Sequence, residues 1–323
     1  MSDWRPSATP AALRLRARLH QWLRAYFAAR GVLEVETPMM SAAGNTEPNI
    51  ESFRTSFNGH AAAGAAQRWL RTSPEYPMKR LLAAGIGDCY EIGRVFRNGE
   101  AGGRHNPEFT MLEWYRIGWD HHRLMVEVGE LIRGALALVE RAIDVRALSY
   151  RELFVEFAGL DPHQCDDAAL RAPLAEFAIR DEGLSRDDWL DLLLTHRIEP
   201  QLRDDTLLLV HDYPASQAAL ARIRPGTPPV AERFEAMLGG IELANGYHEL
   251  ADPGEQGERL QADLARRRGR GAIEPPPDTR LIDALAHGLP DCAGVALGLD
   301  RLLMAMLGTN RIADVLAFDF PRA

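Results

Sequence analysis

The sequence predicts an α+β protein, an antiparallel sheet flanked by helices, and three observations carry that prediction. Residues 93–115, GRVFRNGEAGGRHNPEFTMLEWY, read as strand, polar glycine-rich loop and returning strand, with Tyr90, Ile92, Val95 and Phe96 on one side and Phe109, Met111 and Trp114 on the other. Residues 231–252, AERFEAMLGGIELANGYHELAD, read as a second hairpin that turns at Gly239-Gly240, with Asn245-Gly246 as a further turn. Helical periodicity surrounds both hairpins: Leu15, Leu19, Trp22, Leu23, Tyr26 and Phe27 share one face of a helix that Gly31 closes.

Taken in order, that first helix runs into residues 32–38, VLEVETP, a β-rich segment stopped by proline. A pair of strands is expected over 50–57 and a flexible turn over 59–66. Residues 69–76, WLRTSPEY, then read as a strand entering a helix with Pro74 near its start and Glu75 in its first turn. From about 121 to 200 the pattern predicts a helical insertion, with helices near 121–141, 151–157, 168–177 and 187–194. A strand at 206–210 is followed by a loop at 211–216. Residues 294–301, GVALGLDR, form a strand feeding a helix whose buried face holds Leu302, Leu303, Met306 and Leu307.

Composition bounds the function. The chain has 323 residues, 46% hydrophobic and 26% charged, enough for one large core or two modest ones. Its net charge of −9 argues against a broad nucleic-acid-binding surface, although a local basic patch is compatible with it. Cys89, Cys165 and Cys292 are far apart and fit neither a disulfide framework nor a zinc site, so reduced thiols are expected. No apolar run approaches the roughly 18 residues of a spanning helix, and the N-terminus lacks the parts of a signal peptide, so a cytoplasmic protein is expected.

The chemistry concentrates on the hairpins. Arg97, Arg104 and His105 bring cationic groups to the mouth of the first, beside the ring of Phe109, a combination suited to a triphosphate and a stacked base. On the second, Glu235 and Glu242 read either as acids on a solvated sheet face or as a carboxylate pair for Mg²⁺.

Phe96-Arg97 followed by residues 105–113, HNPEFTMLE, resembles motif 2 of the class II aminoacyl-tRNA synthetases in its lysyl form. The order long helix, strand, proline over 13–38 resembles motif 1, and residues 294–301 resemble motif 3. Residues 245–249, NGYHE, are similar to the lysine-binding Asn-Gly-Phe-x-Glu segment of that family. The resemblance covers nearly the whole chain and implies one class II catalytic domain over 1–323, a homodimer through the motif 1 region, and ATP with Mg²⁺. It implies that Arg97 and Arg301 are catalytic. ATP would be bound by these two with Glu100, Arg104, His105, Asn106, Phe109 and Glu242, and Glu235 and Glu242 would hold the metal. The substrate would meet Ser73, Glu75, Glu113, Tyr115, Asn245, Tyr247, Glu249 and Ala296. Glu249 is the partner expected for a distal ammonium, because an uncompensated buried charge costs on the order of 3–5 kcal/mol. Ala296 stands where lysyl-type motif 3 has glycine, and its methyl is expected to favour an amino group on the β-carbon. One departure is Gly99, where the family's motif 2 has an acid; Glu100 follows it.

With motif 1 beginning near residue 11, no anticodon-binding domain is expected. Together with the acidic balance this makes the chain resemble the shortened lysyl-type ligases, which join lysine or (R)-β-lysine to a lysine ε-amine of elongation factor P, and tRNA is not expected as a partner. Two alternatives stay open: a tRNA-charging or adenylate-forming enzyme, and a non-catalytic regulatory paralogue. The retained Arg97, Glu235, Glu242 and Arg301 speak against the second.

Overall fold

The computed structural model describes residues 4–180 and 182–323. Helix α1 (Pro10–Ala28) starts where Thr9 accepts a hydrogen bond from the Ala12 amide, with Pro10 in a position that needs no N–H. Short strands β1 (Leu33–Glu34), β2 (Met40–Ser41), β3 (Arg54–Ser56) and β4 (Gln67–Leu70) lead to α2 (Glu75–Ala83) and the hairpin strands β5 (Cys89–Phe96) and β6 (Glu108–Ile117). Then come α3 (His121–Ala137), β7 (Asp144–Ser149), α4 (Tyr150–Ala158), α5 (Asp167–Arg171) and α6 (Arg186–Leu193). Strands β8 (Thr206–Pro214), β9 (Ile223–Arg224), β10 (Val230–Leu238) and β11 (Ile241–His248) follow, and α7 (Pro253–Gly269), α8 (Thr279–Gly288), β12 (Cys292–Gly298) and α9 (Leu299–Leu307) complete the chain. The architecture is α+β and mostly antiparallel, as expected.

The chain forms two compact units. The first comprises Met1–Gly118, Leu250–Cys292 and Ala296–Ala323. Its strands β1, β5, β6 and β12 are neighbours in that order, and β5 and β6 pair without a break from Cys89↔Tyr115 to Phe96↔Glu108. The period-2 alternation of β6 decides its two faces. Trp114 points toward α1, where Phe27 stacks on Tyr90 at 4.3 Å and meets Trp114 edge-on at 5.6 Å. Phe109, Met111, Glu113 and Tyr115 take the opposite face.

Two buried charges tie this unit together. Asp300, on α9, is 1% exposed; its carboxylate accepts from the Thr110 amide of β6 at 2.7 Å and pairs with Arg16 of α1. Arg267, near the end of α7, donates to the carbonyls of Thr46, Glu47, Ile50 and Ile273 and to the Glu51 carboxylate, so its whole fork is used.

The second unit comprises Trp119–Glu249 with Ala293–Val295. Its strands run β11, β10, β8, β7, and β9 pairs with β10. A core of Tyr150, Phe154, Leu193, Val210 and Tyr213 joins α4 and α6 to the sheet. The turn between β10 and β11 is a two-residue loop with Gly239 and Gly240 at φ of 57° and 68°, the doubly positive geometry that glycine adopts without strain.

Several expectations need correction. The region 121–200 is not wholly helical, because β7 lies within it and pairs in parallel with β8. Residues 211–214 continue β8 rather than forming a loop. Asn245-Gly246 is no turn but the middle of β11; a Cβ on Gly246 would stand 2.5 Å from the Phe234 ring, so close packing is what demands glycine there. Only β3 forms over 50–57, and after α1 the strand is limited to β1. Helices α7 and α8 were not expected, since the arginine-rich sequence of α7 dilutes its apolar stripe to Leu260 and Leu264.

Substituting Asp300→Ala leaves the Arg16 guanidinium and the Thr110 amide without their acceptor. The expected loss is roughly 3–5 kcal/mol of stability, read as a melting temperature lower by about 10 °C in calorimetry; a change within a degree or two would refute the clamp.

Candidate active site

In the first unit the β5–β6 loop is pinned at both ends. The Arg97 amide donates to the Pro107 carbonyl at 2.9 Å, and the Ile312 amide donates to the Gly103 carbonyl at 2.8 Å. The Arg97 guanidinium lies over the Phe109 ring at 5.2 Å, so a cation and an aromatic face do converge. The acid missing at position 99 has a physical account. Gly99 has φ of 85°, where another residue would be strained, and Glu100 reaches Arg97 instead at 3.7 Å. Arg301, in the first turn of α9, contacts His105 Nε2 at 2.8 Å. Arg104 is exposed. Asn106 shapes the loop: its amide nitrogen donates to the Glu108 carbonyl and its oxygen accepts from the Phe320 amide, leaving its side chain committed internally.

The same face carries a buried carboxylate row. Glu113 is 2% exposed and accepts from Ser73 Oγ and Tyr115 OH, each at 2.7 Å. Across the ladder stands Glu91, which the sequence reading had passed over. Arg71 neutralises it at 2.6 Å, and Thr37 donates to it at 2.7 Å. Gly93 makes room for this pair, since a Cβ there would sit 2.2 Å from Arg71 Nη2. Glu75 is engaged by Lys79 at 2.7 Å, a partly buried i,i+4 ion pair, while its amide donates to Ser73 Oγ at 2.9 Å. Ala296 is half-buried in β12.

In the second unit β10 and β11 present the remaining candidates. Glu235 pairs directly with Asn245, and a bulge between Ala236 and Met237 then brings Glu242 opposite Met237. Glu242 and Asn245 are three apart and would face opposite sides of a regular strand; the extra residue puts both on the face of Glu235. Burial pushes the Glu235 carboxyl well above the usual carboxylate range; Arg233 opposes the shift and Glu242 adds to it. Two adjacent oxygen donors with excess negative charge are the chemistry that Mg²⁺ takes, so these residues fit that ion.

Arg233 is a residue the sequence reading missed. It pairs with Glu235, donates to Asn245 Oδ1 at 3.2 Å and to the Gln217 carbonyl at 2.9 Å, and lies over the Tyr213 ring at 4.5 Å. An arginine two residues before an acid on a strand was the available signal, because both then share a face. Asn245 Nδ2 donates to Tyr247 OH at 3.1 Å. Glu249, the residue after β11, is 2% exposed.

A model of the class II tRNA synthetases (D, K and N) matches residues 1–322. The chain belongs to this family. Among its relatives is a protein of Vibrio cholerae, 49% identical over 325 aligned positions that span 100% of this chain and 99% of the relative. Relatives from Yersinia enterocolitica, at 49%, and Salmonella gallinarum, at 47%, have the same coverage. All three are named elongation factor P (R)-β-lysine ligase. Of the residues singled out in the sequence, the hairpin β5–β6 carries Arg97 and Phe109, and the hairpin β10–β11 with the residue after it carries Glu235, Glu242 and the segment from Asn245 to Glu249.

Arg233→Met should lower the unfolding free energy by roughly 3–5 kcal/mol, because Glu235 is left buried without its cation. Adding Glu235→Gln should recover most of that loss in urea denaturation. Strictly additive losses in the double mutant would show that the two residues are not coupled.

Proposed function

We propose that the chain is an ATP-dependent ligase that activates (R)-β-lysine as an acyl adenylate and transfers it to the ε-amine of a lysine of elongation factor P. The observation that carries the reading is the likeness, over full length, to relatives bearing that name. Membership of the class II synthetases supplies ATP use.

The residues divide the work by chemistry. Arg97, Arg301 and His105 offer cationic or donor groups to the triphosphate, and Phe109 offers a face for adenine. Glu235 and Glu242 would hold Mg²⁺, which shields the charge of the triphosphate. The substrate carboxylate attacks the α-phosphorus in line; its P–O bond forms as the bond to pyrophosphate breaks, and the Arg97 guanidinium stabilises the charge that accumulates. The acceptor's neutral ε-amine then attacks the acyl carbonyl, an amide forms, AMP leaves, and the amine gives up a proton. No side-chain nucleophile is required. Glu249 pairs the distal ammonium of the substrate, Asn245 donates to its carboxylate, and Tyr247 walls its aliphatic stem. The Ala296 methyl favours the β-amino isomer. The same reading assigns substrate contact to Ser73, Glu75, Glu113 and Tyr115 of the first unit.

A homodimer through the motif 1 region belongs to the same reading, supported by the exposed Leu33, Met39 and Met40 that follow α1. So does a cytoplasmic setting; among the described residues no helix is long and apolar enough to cross a membrane. The net charge of −9 supports a protein acceptor over tRNA.

Incubation with ATP, Mg²⁺ and (R)-β-lysine should add one lysyl mass to elongation factor P in intact mass spectrometry, with no efficient charging of tRNA on acid gels. Robust tRNA charging beside an unmodified factor would overturn the proposal. Glu249→Gln should reduce β-lysine-dependent pyrophosphate exchange by roughly a hundredfold, and near-normal exchange would remove Glu249 from the ammonium site.

A further inference from the structure

We infer that the second unit carries a binding site for a late first-row divalent ion, zinc above all, built from His121, His122 and Asp212 and distinct from the Glu235–Glu242 pair. This goes beyond the ligase reading and does not depend on it. The two histidines open α3, with Asp120 capping the helix by accepting from the Arg123 amide, and Asp212 lies near the end of β8. One ligating atom from each of the three lies within 4.8 Å of the others.

Well-formed hydrogen bonds do not satisfy the buried polar atoms at this spot, where His121 and His211 stand 3.5 Å and 3.3 Å from the Asp212 carboxylate. His121 is 1% exposed, and neither of its ring nitrogens has a hydrogen-bond partner. Asp212 Oδ1 is likewise buried and without one. Buried polar atoms are nearly always satisfied, so two such groups facing each other call for an explanation. His121 Nε2 and Asp212 Oδ1 stand 3.5 Å apart. That is too long for a good hydrogen bond. Nitrogen and oxygen ligands at 2.0–2.2 Å on a tetrahedral zinc ion stand about 3.4 Å apart, which the observed gap matches.

The surroundings fit a metal ligand set. Arg224 Nη2 holds the other Asp212 oxygen at 2.7 Å, orienting the carboxylate so that Oδ1 is the atom presented. Asp212 adopts φ of 57°, a left-handed conformation unusual for a residue with a side chain, opposite a register shift between Ala231 and Phe234 of β10. His122 is exposed, which provides an entry path and leaves a fourth coordination position to water. A second set, His121 with Glu232 and His248, is less suited: His248 Nδ1 already bonds Glu232 Oε2 at 2.6 Å, and Glu232 also meets Arg224. Two imidazoles and one carboxylate select zinc and its neighbours over Mg²⁺, which prefers oxygen ligands throughout.

The test is a Zn²⁺ titration of untagged, chelator-stripped full-length protein in excess Mg²⁺, followed by competition with a chromophoric chelator and by the melting temperature. One Zn²⁺ per chain is expected, at micromolar affinity or tighter, with a rise in melting temperature. His122→Ala, at an exposed position outside the core, should weaken binding by about tenfold or more while leaving the circular dichroism spectrum unchanged; Asp212→Asn should do the same if it folds. Co²⁺ in place of zinc should show the intense visible bands of a four-coordinate ion. Absence of a retained Zn²⁺, or equal affinity in the wild type and His122→Ala, would overturn the assignment. So would loss of zinc binding in Glu235→Gln rather than in His122→Ala.

Discussion

Much of the first unit depends on one carboxylate. Asp300 reaches from the first turn of α9 to the backbone of β6, and the amide that it accepts from belongs to Thr110, the residue after Phe109. Because the contact is to backbone, it locks α9 to a particular residue of the strand and not merely to its surface. Arg301, next in sequence, is thereby brought to His105 in the loop that β6 closes. The Arg16 ion pair adds α1 to the same node, so the aromatic cluster of Phe27, Tyr90 and Trp114 and the cations of the loop are held in one frame. An aspartate between a strand and a helix looks in the sequence like a helix-start acid; its burial at 1% exposure marks it as a fastening.

The carboxylates of the two units are managed differently. Glu91 and Glu113, paired across β5 and β6, each have dedicated donors: Arg71 and Thr37 for one, Ser73 and Tyr115 for the other. Glu235 and Glu242 share one face, where Arg233 pairs with Glu235, and burial raises the Glu235 carboxyl. A carboxylate with dedicated donors serves as framework, whereas burial leaves the charge of Glu235 costly even beside its arginine.

The hairpins were legible because their signals are local. Alternating apolar residues, a Gly-Gly turn and a polar glycine-rich loop need no tertiary context, and the candidate residues of the two hairpins came with them. The segment from Asn245 to Glu249 was legible as chemistry but not as shape. Asn-Gly is a strong turn signal, and here Phe234 overrides it by packing where a Cβ on Gly246 would lie. Glu91 and Arg71 were not legible, since a charge reads as solvated until the distant residue it pairs with is known, and Arg233 was passed over although Glu235 stands two residues on in the same strand. Helix α7 was hidden because two of its four buried residues, Gln256 and Arg267, are polar, and polar residues on the buried face break the apolar pattern by which helices are recognised.

The bulge between β10 and β11 has a consequence for how this hairpin can change in length. Side-chain direction along a strand is a matter of odd and even, and the bulge adds one to the count between Glu242 and Asn245. Losing the unpaired residue, Leu243, would leave Glu242 two positions before Asn245, where a regular strand keeps both on one face without any bulge. Losing or gaining two residues would keep the odd spacing and with it the need for the bulge. Length variation in β11 is thus filtered by parity before it is filtered by chemistry, and a sequence that keeps both Glu242 and Asn245 but spaces them by two or four has no use for the bulge.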